Sequence, residues 1–466
     1  MLWFRAMPSA DSPSEPSGAV LSAIADAALR PRPVWRSERA YVLATIAGVI
    51  GLGNIWRFPY MAGLHGGGSF VLAYVACVVL IAIPLAVLES GAGNLTRRSP
   101  VGLFRRAGGT AGVCIGWSVI GLTVAIMSYY FVVTGWTLGY TFDAILDRLT
   151  TFTEFTSGMA SLWLFFLVAG LVFVLLLREV SAIERASLLL MPLLILIVVG
   201  MAVYAQTLNG AGEARSFYLG IDGGALLDSA TWRAAAGQAF YSLGVGQGVL
   251  IAYGSYVPAG TNIVRSTSLI AVTNSSISIL AGLMVFPIVF TFDIAPDAGS
   301  QLSFTAFPRV FGEVAGGEYL AVAFFTLLFV AGFTSCLGGA VVVMSAVRDE
   351  LNLSRKHSAQ LVVGLVVLLG IPSALSFTQV GVEIAGVPFL DRMDQVTGSG
   401  VLVALGLVGA LLLAWRLPRR RLVASFNTGR QRPGQGLRLW AGWIVTWASI
   451  VPLLAATLFI LTAVAG

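Results

Sequence analysis

The residues best suited to chemistry lie where the chain is otherwise most apolar, in the stretch AGVIGLGNIWRFPY at residues 47–60. This stretch lies inside an apolar run long enough to cross a bilayer, yet it holds Gly51, Gly53, Asn54 and Arg57. Glycines let a helix stop, and a helix that stops leaves backbone N–H and C=O groups without partners. Inside a membrane, such N–H groups can hold a carboxylate and such carbonyl oxygens can hold a cation. The stretch therefore predicts two half-helices around a binding site.

A second stretch, QAFYSLGVGQGVLIAYGSY at residues 238–256, shares this feature, with Gly244, Gly246 and Gly248 at its centre. Taken singly, glycines in a membrane helix can serve close helix packing, and this interpretation stays open for either stretch alone. Corresponding interruptions in two halves of a chain are typical of secondary transporters, whose sites lie near the bilayer midplane. The pair of interruptions therefore favours a transport site.

Uncharged polar side chains accompany both interruptions at mid-membrane depth. Besides Asn54 they are Gln238, Ser242, Gln247, Asn274, Ser278, Thr334 and Ser335. Neutral oxygen atoms suit a monovalent ion that must bind and also leave, although Ser and Thr hydroxyls often bond only to their own helix. The apolar spans that hold these residues carry no Asp, Glu, Lys or His at mid-depth, which argues against proton coupling.

Membrane-spanning helices have to position these residues, because 57% of the 466 residues are hydrophobic and only 11% are charged. The apolar residues come in blocks near the length of about 20 residues that crosses the hydrocarbon core. Eleven blocks can be placed, at 40–64, 69–92, 112–141, 161–177, 186–206, 234–256, 267–292, 318–347, 360–376, 396–415 and 439–464. The sequence therefore predicts an all-α polytopic membrane protein with eleven transmembrane helices, of which helices 1 and 6 are broken.

Charged residues alternate in sign from one loop to the next. Arg105 and Arg106 lie in one loop, for example, and Asp143 and Asp147 lie in the loop that follows. The positive-inside rule then places the N-terminus in the cytoplasm, and an odd number of spans places the C-terminus outside. Residues 1–33 show no signal-peptide pattern, so we expect a cytoplasmic tail on a protein of a bacterial-type inner (plasma) membrane.

Composition disfavours several other classes of protein. The net charge of +6 comes mostly from loop arginines, so it does not indicate a nucleic-acid partner. Cys77, Cys114 and Cys336 have no paired spacing for a disulfide framework or a zinc site, and His65 and His357 are too few for a histidine metal cluster. The partners that remain are a small substrate, ions and the lipid bilayer; the oligomeric state is not indicated.

Six motifs of the chain form a specific set: GLGNIWRFPY followed by GGGSF, YYFVVTGWTLG, GQAFYSLGVGQG, AYGSY, and AGFTSC with RDE after it. Together they resemble the neurotransmitter:sodium symporters, a family of transporters, not enzymes, that includes bacterial amino-acid transporters. The resemblance runs from Trp35 to Trp415 and implies two inverted five-helix repeats. The implied organisation is a tail at 1–33, a first repeat at 34–206, a second repeat at 207–417, and a cytoplasmic loop with the eleventh helix at 418–466.

The resemblance implies two sodium sites. The first would use the Val49 carbonyl, the Asn54 side chain, Ser242 and Asn274, and would be completed by the substrate carboxylate. The second would use the carbonyls of Ala47, Ile50 and Ala331 with the hydroxyls of Thr334 and Ser335.

The substrate carboxylate would meet the N–H groups of Leu52 and Gly53 and the Tyr130 hydroxyl. Family members that carry monoamines place an aspartate at the position of Gly51, so this chain is expected to take an amino acid that brings its own carboxylate. Further pocket candidates are Gly48, Ile126, Tyr241, Gly244, Gln247, Cys336 and Gly339. The glycines leave space and Gln247 offers an amide, which together indicate a substrate with a medium to large or polar side chain. Equally, Gln247 could have its hydrogen bonds satisfied by another helix and take no part in the pocket.

The resemblance also implies a chloride site. Chloride-dependent members bind the anion with residues that match Tyr74, Gln238, Ser242, Asn274 and Ser278. Chloride-independent bacterial members usually carry an acid in this region, but span 7 is neutral here, so bound sodium would lack a counter-charge. We therefore expect a bound chloride, with plain helix packing by the serines as the alternative.

Two gates can be placed by the same resemblance. Arg57 and Asp394 match the outer pair, expected to meet through water above the site, and Tyr241 matches the aromatic lid over the substrate. The inner latch would consist of Arg32 and Asp349, supported by Ser255 and Tyr256. Arg32 could equally be a topology charge. Weak exposed pairs suit a gate, because it opens in every cycle.

The function expected from the sequence is a sodium-coupled and chloride-dependent symporter that imports a neutral or polar amino acid by alternating access. The alternatives are a carrier of another small carboxylate-bearing zwitterion, such as a betaine or a GABA-like compound, and a transport-deficient substrate sensor on the same fold. A channel would need a continuous polar pore, and a sensor would usually add a sizeable soluble domain. The identity of the substrate and the ion stoichiometry stay open.

Overall fold

The computed structural model describes residues 34–177, 181–258, 260–313, 316–426, 442–451 and 453–454, with the backbone alone for 181–191. The described chain is almost entirely helical. Its helices are α1 (Glu38–Val49), α2 (Gly53–Leu64), α3 (Gly68–Thr96), α4 (Pro100–Ile145), α5 (Phe152–Thr156), α6 (Ala160–Leu177), α7 (Ser181–Ala205), α8 (Ala211–Leu219), α9 (Gly223–Leu227), α10 (Ser229–Leu243), α11 (Val249–Gly254), α12 (Ile263–Thr291), α13 (Leu302–Glu313), α14 (Gly317–Leu351), α15 (Arg355–Ala374), α16 (Phe389–Arg416), α17 (Arg419–Ser425) and α18 (Gly442–Val451). A small antiparallel hairpin, β1 (Glu383–Ile384) and β2 (Val387–Pro388), precedes α16.

Among the described residues, seven helices are long and apolar enough to cross a membrane, and α1 with α2 forms an eighth span bent by 49°. The seven are α3, α4, α6, α12, α14, α15 and α16. Three further predicted spans fall short of that test. The span at 234–256 is split into α10 and α11, and those at 186–206 and 439–464 are described only in part. The number eleven therefore stays a prediction, as does the inverted repeat.

Short polar residues start the helices where the apolar blocks begin. Ser37 Oγ accepts from the Ala40 N–H at 3.1 Å at the start of α1, and Asn262 Oδ1 accepts from the Arg265 N–H at 3.0 Å at the start of α12. These caps satisfy N–H groups that have no carbonyl partner in the first helical turn. The short polar residues that precede these two apolar blocks thus define where the two helices begin.

Three glycines break span 6 by their backbone conformation. Gly244, Gly246 and Gly248 have φ angles of 68°, 78° and 75°, in the left-handed region that other residues adopt at a cost. Helix α10 ends just before the first of them and α11 begins just after the last. The interruption expected from these glycines is therefore present, and its cause is local.

Span 1 is broken for a different reason from the expected one. The backbone turns extended at Ile50, with ψ of 115°, while Gly51 and Gly53 keep negative φ angles. Both glycines lie close to neighbouring side chains instead: a Cβ on Gly53 would lie 3.2 Å from the Tyr241 ring, and a Cβ on Gly51 would lie 2.7 Å from Tyr130 Oη. The two glycines admit neighbouring side chains; they do not supply the turn.

Two of the three π-helical turns in the described chain contact each other through their side chains. One covers Gly53–Arg57 in α2 and the other covers Asp394–Val401 in α16. Such turns are rare and are frequently found at functional sites. They carry the two residues of the expected outer gate, Arg57 and Asp394.

Candidate functional site

The asparagines of the expected first sodium site meet at the centre of the molecule. Asn54 Nδ2 donates to the Asn274 backbone carbonyl at 3.0 Å, to Asn274 Oδ1 at 2.9 Å and to Ser278 Oγ at 2.8 Å. Asn54 Oδ1 accepts from the Gly51 N–H at 3.2 Å. All three side chains are fully buried. Both ends of the Asn54 amide are therefore engaged, and the break in span 1 is tied to α12.

The Asn274 amide creates a conflict that bears on what binds here. Its atom next to Asn54 also lies 3.3 Å from the Val49 and Ser242 carbonyl oxygens. As an oxygen, this atom faces two further acceptors; as a nitrogen, it would face the Asn54 Nδ2 donor at 2.9 Å. Turning the Asn54 amide over does not remove the conflict. The Asn54 oxygen would then face the Asn274 backbone carbonyl, which is another acceptor, and the Asn54 nitrogen would face the Gly51 N–H, which is another donor. A cation among the three oxygens would resolve the conflict.

The side chains of the expected second sodium site lie on one turn of α14. Thr334 Oγ1 donates to the Ala331 carbonyl at 3.0 Å. Ser335 Oγ lies 3.2 Å from the Ala331 carbonyl oxygen and 3.3 Å from that of Gly48. The Ser335 hydroxyl is therefore in contact with the end of α1 through the Gly48 carbonyl, whereas the Thr334 hydroxyl bonds within α14.

The two expected carbonyl ligands from α1, those of Ala47 and Ile50, are released from the helical ladder by the break. The Gly51 N–H, which would bond to the Ala47 carbonyl in a continuous helix, donates to Asn54 Oδ1 at 3.2 Å. The Asn54 N–H, which would bond to Ile50, donates to the Gly51 carbonyl at 3.1 Å. Both carbonyls are thereby left able to accept from or coordinate another group.

The expected carboxylate position lies at the start of α2. The Leu52 N–H donates to Tyr130 Oη at 3.0 Å, and the Tyr241 ring covers Gly53 on the other side. A tyrosine hydroxyl is both donor and acceptor, so a carboxylate could receive its proton and a backbone N–H together. The Leu52 N–H and the Tyr130 hydroxyl can therefore hold a carboxylate oxygen without the help of a basic side chain.

A cavity of about 50 Å³ opens beside Tyr130. It is lined by Gly48, Val49, Gly53, Ile126, Met127, Tyr130, Tyr241, Ser242, Gly244, Gln247, Val249, Tyr253, Ser335, Gly338 and Gly339. Eight of the eleven expected pocket residues are in this set, and the three outside it are Gly51, Leu52 and Cys336. The Cys336 thiol is engaged elsewhere, with its sulfur 3.3 Å from Thr134 Oγ1. Gln247 donates through Nε2 to the Tyr241 carbonyl at 3.3 Å.

The residues expected to hold chloride adjoin the asparagine cluster. They are Tyr74, Gln238, Ser242, Asn274 and Ser278. Tyr74 Oη lies 3.4 Å from Ser242 Oγ and donates to Ser275 Oγ at 3.1 Å, so Ser275 joins the set. Gln238 is held by α2, because its Oε1 accepts from Arg57 Nη1 at 2.5 Å. Every group in the cluster is uncharged and every hydroxyl can turn to donate.

The outer gate residues are in direct contact, without the intervening water that we expected. Arg57 Nε donates to both carboxylate oxygens of Asp394, at 2.8 and 3.0 Å. Its Nη2 donates to Ser399 Oγ at 2.8 Å, and its guanidinium lies 4.4 Å from the centre of the Tyr241 ring. Arg57 is fully buried. The structure is therefore closed at this pair.

Of the expected inner latch, Asp349, Ser255 and Tyr256 lie among the described residues. Arg32 lies outside the described residues, so its pairing with Asp349 stays a prediction. Near Ser255 and Tyr256, the Trp35 N–H donates to the Tyr256 carbonyl at 2.9 Å, and the Trp35 ring packs edge-on against that of Tyr256. Trp35, which the sequence did not point to, thus contacts the segment that follows α11.

Three further residues of the site were missed. Tyr60 and Tyr129 both donate to the Asp394 carboxylate, Tyr129 at 2.8 Å. Glu89 is 4% exposed and its Oε1 accepts from the Gly246 N–H at 2.9 Å, while its other oxygen has no hydrogen-bond partner among the described residues. An isolated acid in an apolar span is a visible signal, but Glu89 lies in span 2, outside the spans 1, 6, 7 and 8 that hold the predicted polar residues.

The model of the sodium:neurotransmitter symporter family matches residues 32–156 and 152–465 of this chain. Over 443 residues the chain is 31% identical to an uncharacterized sodium-dependent transporter of Bacillus subtilis, covering 92% of this chain and 97% of the relative. It is 29% identical to one from Haemophilus influenzae, covering 92% and 98%.

The names of two other similar proteins say what those proteins carry or bind. The human sodium- and chloride-dependent neutral and basic amino acid transporter B(0+) is 24% identical, with 91% of this chain and 78% of that protein covered. The crystal structure of MhsT in complex with L-phenylalanine superposes with a TM-score of 0.84 at 31% identity, covering 91% of this chain and 99% of that one.

Proposed function

Because this chain belongs to the sodium:neurotransmitter symporter family and is a sodium-dependent transporter of it, we propose that it imports a neutral or polar amino acid. Two sodium ions and one chloride accompany the substrate in this proposal. The protein is a multi-pass membrane transporter. The proposed arrangement is eleven spans in two inverted repeats in the inner membrane, with the N-terminus in the cytoplasm and the C-terminus outside.

The observation that carries the proposal is the group of three oxygen atoms from Val49, Ser242 and Asn274. With its oxygen beside Asn54, the Asn274 amide faces the two carbonyl oxygens; turned over, it would donate to both and accept from Ser242 Oγ at 3.2 Å, but its nitrogen would then face the Asn54 Nδ2 donor at 2.9 Å. A cation bound by the three oxygens would remove this conflict. The ligands are neutral, which suits a monovalent ion that is released in every cycle. Thr334 and Ser335, with the released carbonyls of α1, support a second ion.

The amino-acid substrate is supported by the groups next to this cation position. The Leu52 N–H and the Tyr130 hydroxyl can hold a carboxylate, and none of the residues that line the cavity is charged. A zwitterion fits this setting, because its carboxylate meets donors and cation while its ammonium group meets backbone carbonyls. The amino acids in the names of the human relative and of the MhsT complex point the same way.

The proposed chloride rests on charge balance. Sodium ions bound among neutral, buried groups need a counter-charge, since unpaired charge is expensive away from water. The hydroxyls of Tyr74, Ser242 and Ser275 lie in one chain of contacts and can donate to an anion. The name of the human relative includes chloride dependence.

The closed outer pair supports alternating access as the mechanism. Arg57 and Asp394 seal the outer side of the cavity while the Tyr241 ring lies beneath them. In the proposed cycle, sodium, chloride and substrate bind together from outside, each raising the affinity for the others. Closure of the outer pair is then followed by opening of the Arg32–Asp349 latch and release inside.

The test is a thermal-shift and uptake screen of the twenty amino acids, a betaine and GABA with the purified protein. Each compound is measured in sodium chloride, choline chloride and sodium gluconate. We expect an amino acid to stabilise the protein and to be taken up by proteoliposomes only with sodium, and more weakly in gluconate. Unchanged uptake in gluconate overturns the chloride proposal. Binding without uptake supports the sensor, and a response to betaine or GABA alone supports the other zwitterions.

A matched pair of variants ties that result to the site. Asn274→Ala should abolish the sodium-dependent response, because it removes the oxygen shared by the cluster. Ser276→Ala lies on the exposed side of the same helix and should behave as the wild type. An Asn274→Ala protein that keeps its full sodium dependence would place the cation elsewhere.

A further inference from the structure

One wall of the cavity is built from glycines on α14 and the side chains that fill the space they leave. A Cβ on Gly339 would lie 2.5 Å from Met127 Sδ, so the thioether occupies the place of a side chain there. A Cβ on Gly338 would lie 3.0 Å from Tyr253 Oη, and the same ring lies 3.2 Å from a Cβ on Gly48. All of these residues line the cavity.

Met127 and Tyr130 line the same cavity. Met127 precedes Tyr130 by three residues on α4, so the two lie on the same face of the helix. Three residues of helix rise by about 4.5 Å, so Met127 lies just under one helical turn from the residue whose hydroxyl would hold the carboxylate. A substrate whose carboxylate meets Tyr130 thus directs its side chain towards Met127.

The other walls near this point are stiff. Ile126 is β-branched and has few rotamers, the Tyr253 ring is wedged between Gly48 and Gly338, and Gln247 donates to the Tyr241 carbonyl. Methionine is unbranched, has three rotatable bonds and makes favourable contacts with aromatic rings. Compared with Ile126, Tyr253 and Gln247, Met127 can change the length of the cavity at little cost.

We propose that Met127, accommodated by the missing side chain of Gly339, sets the size of substrate that this transporter accepts, and that the substrate is an amino acid with a large apolar side chain. This inference rests on the proposed function, since it assumes a carboxylate at Tyr130. Gly339 lets the thioether withdraw from the cavity when a large side chain enters. A residue with a Cβ at position 339 would hold the thioether in the cavity and shorten it.

The test is a size series of amino acids, from alanine through valine, leucine and phenylalanine to tryptophan, with sodium present. Affinities are measured by thermal shift and uptake for the wild type, Met127→Ala, Gly339→Ala and the double variant. We expect Met127→Ala to favour tryptophan over leucine by about tenfold or more relative to the wild type. Gly339→Ala should disfavour phenylalanine relative to alanine by about tenfold, and the double variant should return towards the wild-type order.

The double variant makes the inference falsifiable even if one single variant folds poorly. Met344→Ala, a buried methionine of α14 away from the cavity, is the control and should leave the size order unchanged. If sodium-dependent binding persists in all variants with the wild-type size order, Met127 does not set the size. If no amino acid binds to the wild type with sodium, the proposed function fails instead.

Discussion

Gly51 shows how closely the central residues are packed. A Cβ on this residue would lie 2.7 Å from Tyr130 Oη and 2.8 Å from Ser335 Oγ, well inside normal contact distance. The position therefore has no room for a side chain unless Tyr130 or Ser335 moves. The hydroxyls on both sides belong to the proposed carboxylate and sodium positions, so displacing either affects binding.

Substituting Gly51 by alanine should reduce sodium-dependent uptake by about tenfold or more. The added methyl group displaces the Tyr130 or Ser335 hydroxyl, and even small displacements weaken binding that depends on exact positioning. Uptake at saturating sodium measures the loss. Gly121→Ala is the matched control, since nothing lies within 4 Å of its Cβ position, and it should transport normally. Wild-type uptake by Gly51→Ala would show that this contact is not part of the working site.

At the scale of elements, the broken span 6 is held by residues of other helices. Glu89 on α3 accepts from the Gly246 N–H at 2.9 Å, and Thr123 on α4 donates to the Gln247 carbonyl at 2.8 Å. Backbone groups at membrane depth are tolerated without a helix only when protein or a cavity satisfies them. The glycines permit the break, and Glu89 and Thr123 stabilise it.

The residues at the end of α17 pack against two other helices. The Phe426 ring is fully buried and lies 2.1 Å from the position of a Cβ on Gly91 of α3. Ser425 Oγ donates to the Gly91 carbonyl at 3.1 Å, and the Ile263 N–H of α12 donates to the Phe426 carbonyl at 3.0 Å. The segment after α16 therefore connects α3 with the start of α12.

Gly91→Ala should lower the stability of the folded protein, because its methyl group cannot fit beside the Phe426 ring. Phe426→Ala should cost about 3–5 kcal/mol through loss of a buried ring, and the double variant should cost less than the sum. Unfolding of the three variants in detergent measures this coupling. Gly364→Ala, with nothing within 4 Å of its Cβ position, should be neutral or stabilising. Strictly additive losses would contradict the contact.

On the scale of the whole molecule, the proposed first sodium site joins elements that are far apart in the chain. Its three oxygens come from the end of α1, from α10 and from α12, and the Arg57–Asp394 pair joins α2 to α16. A ligand that contacts several elements only in the folded state stabilises that state by mass action. An ion at the proposed site would therefore stabilise the arrangement of α1, α10 and α12 seen in this structure.

Sodium at one hundred times its dissociation constant should stabilise the folded protein by about 2.7 kcal/mol. The measurement is thermal unfolding in sodium chloride against potassium chloride at equal ionic strength, with Asn274→Ala in parallel. The shift should be present in the wild type and absent or small in the variant. Equal unfolding temperatures in both salts would argue against a sodium site built from these residues.

Several features of the fold and site follow from the sequence because they are local. The breaks at Gly244, Gly246 and Gly248 follow from φ angles that glycine alone adopts easily, and the apolar blocks follow from hydrocarbon thickness. Contacts between residues far apart in the chain were harder to predict from the sequence. Cys336 was expected in the pocket but faces Thr134, and Gly51 was expected to end a helix that instead turns at Ile50.

By itself, the sequence determined the family, the membrane-spanning helices described here, the broken span 6 and most of the residues around the cavity. The tertiary structure alone decided that Glu89 holds Gly246, that Met127 fills the place of a side chain at Gly339, and that Arg57 meets Asp394 directly. The physical reason is that apolar pattern and glycine conformation act within one helix. Which faces of two helices meet depends on how side chains distant in the chain pack together.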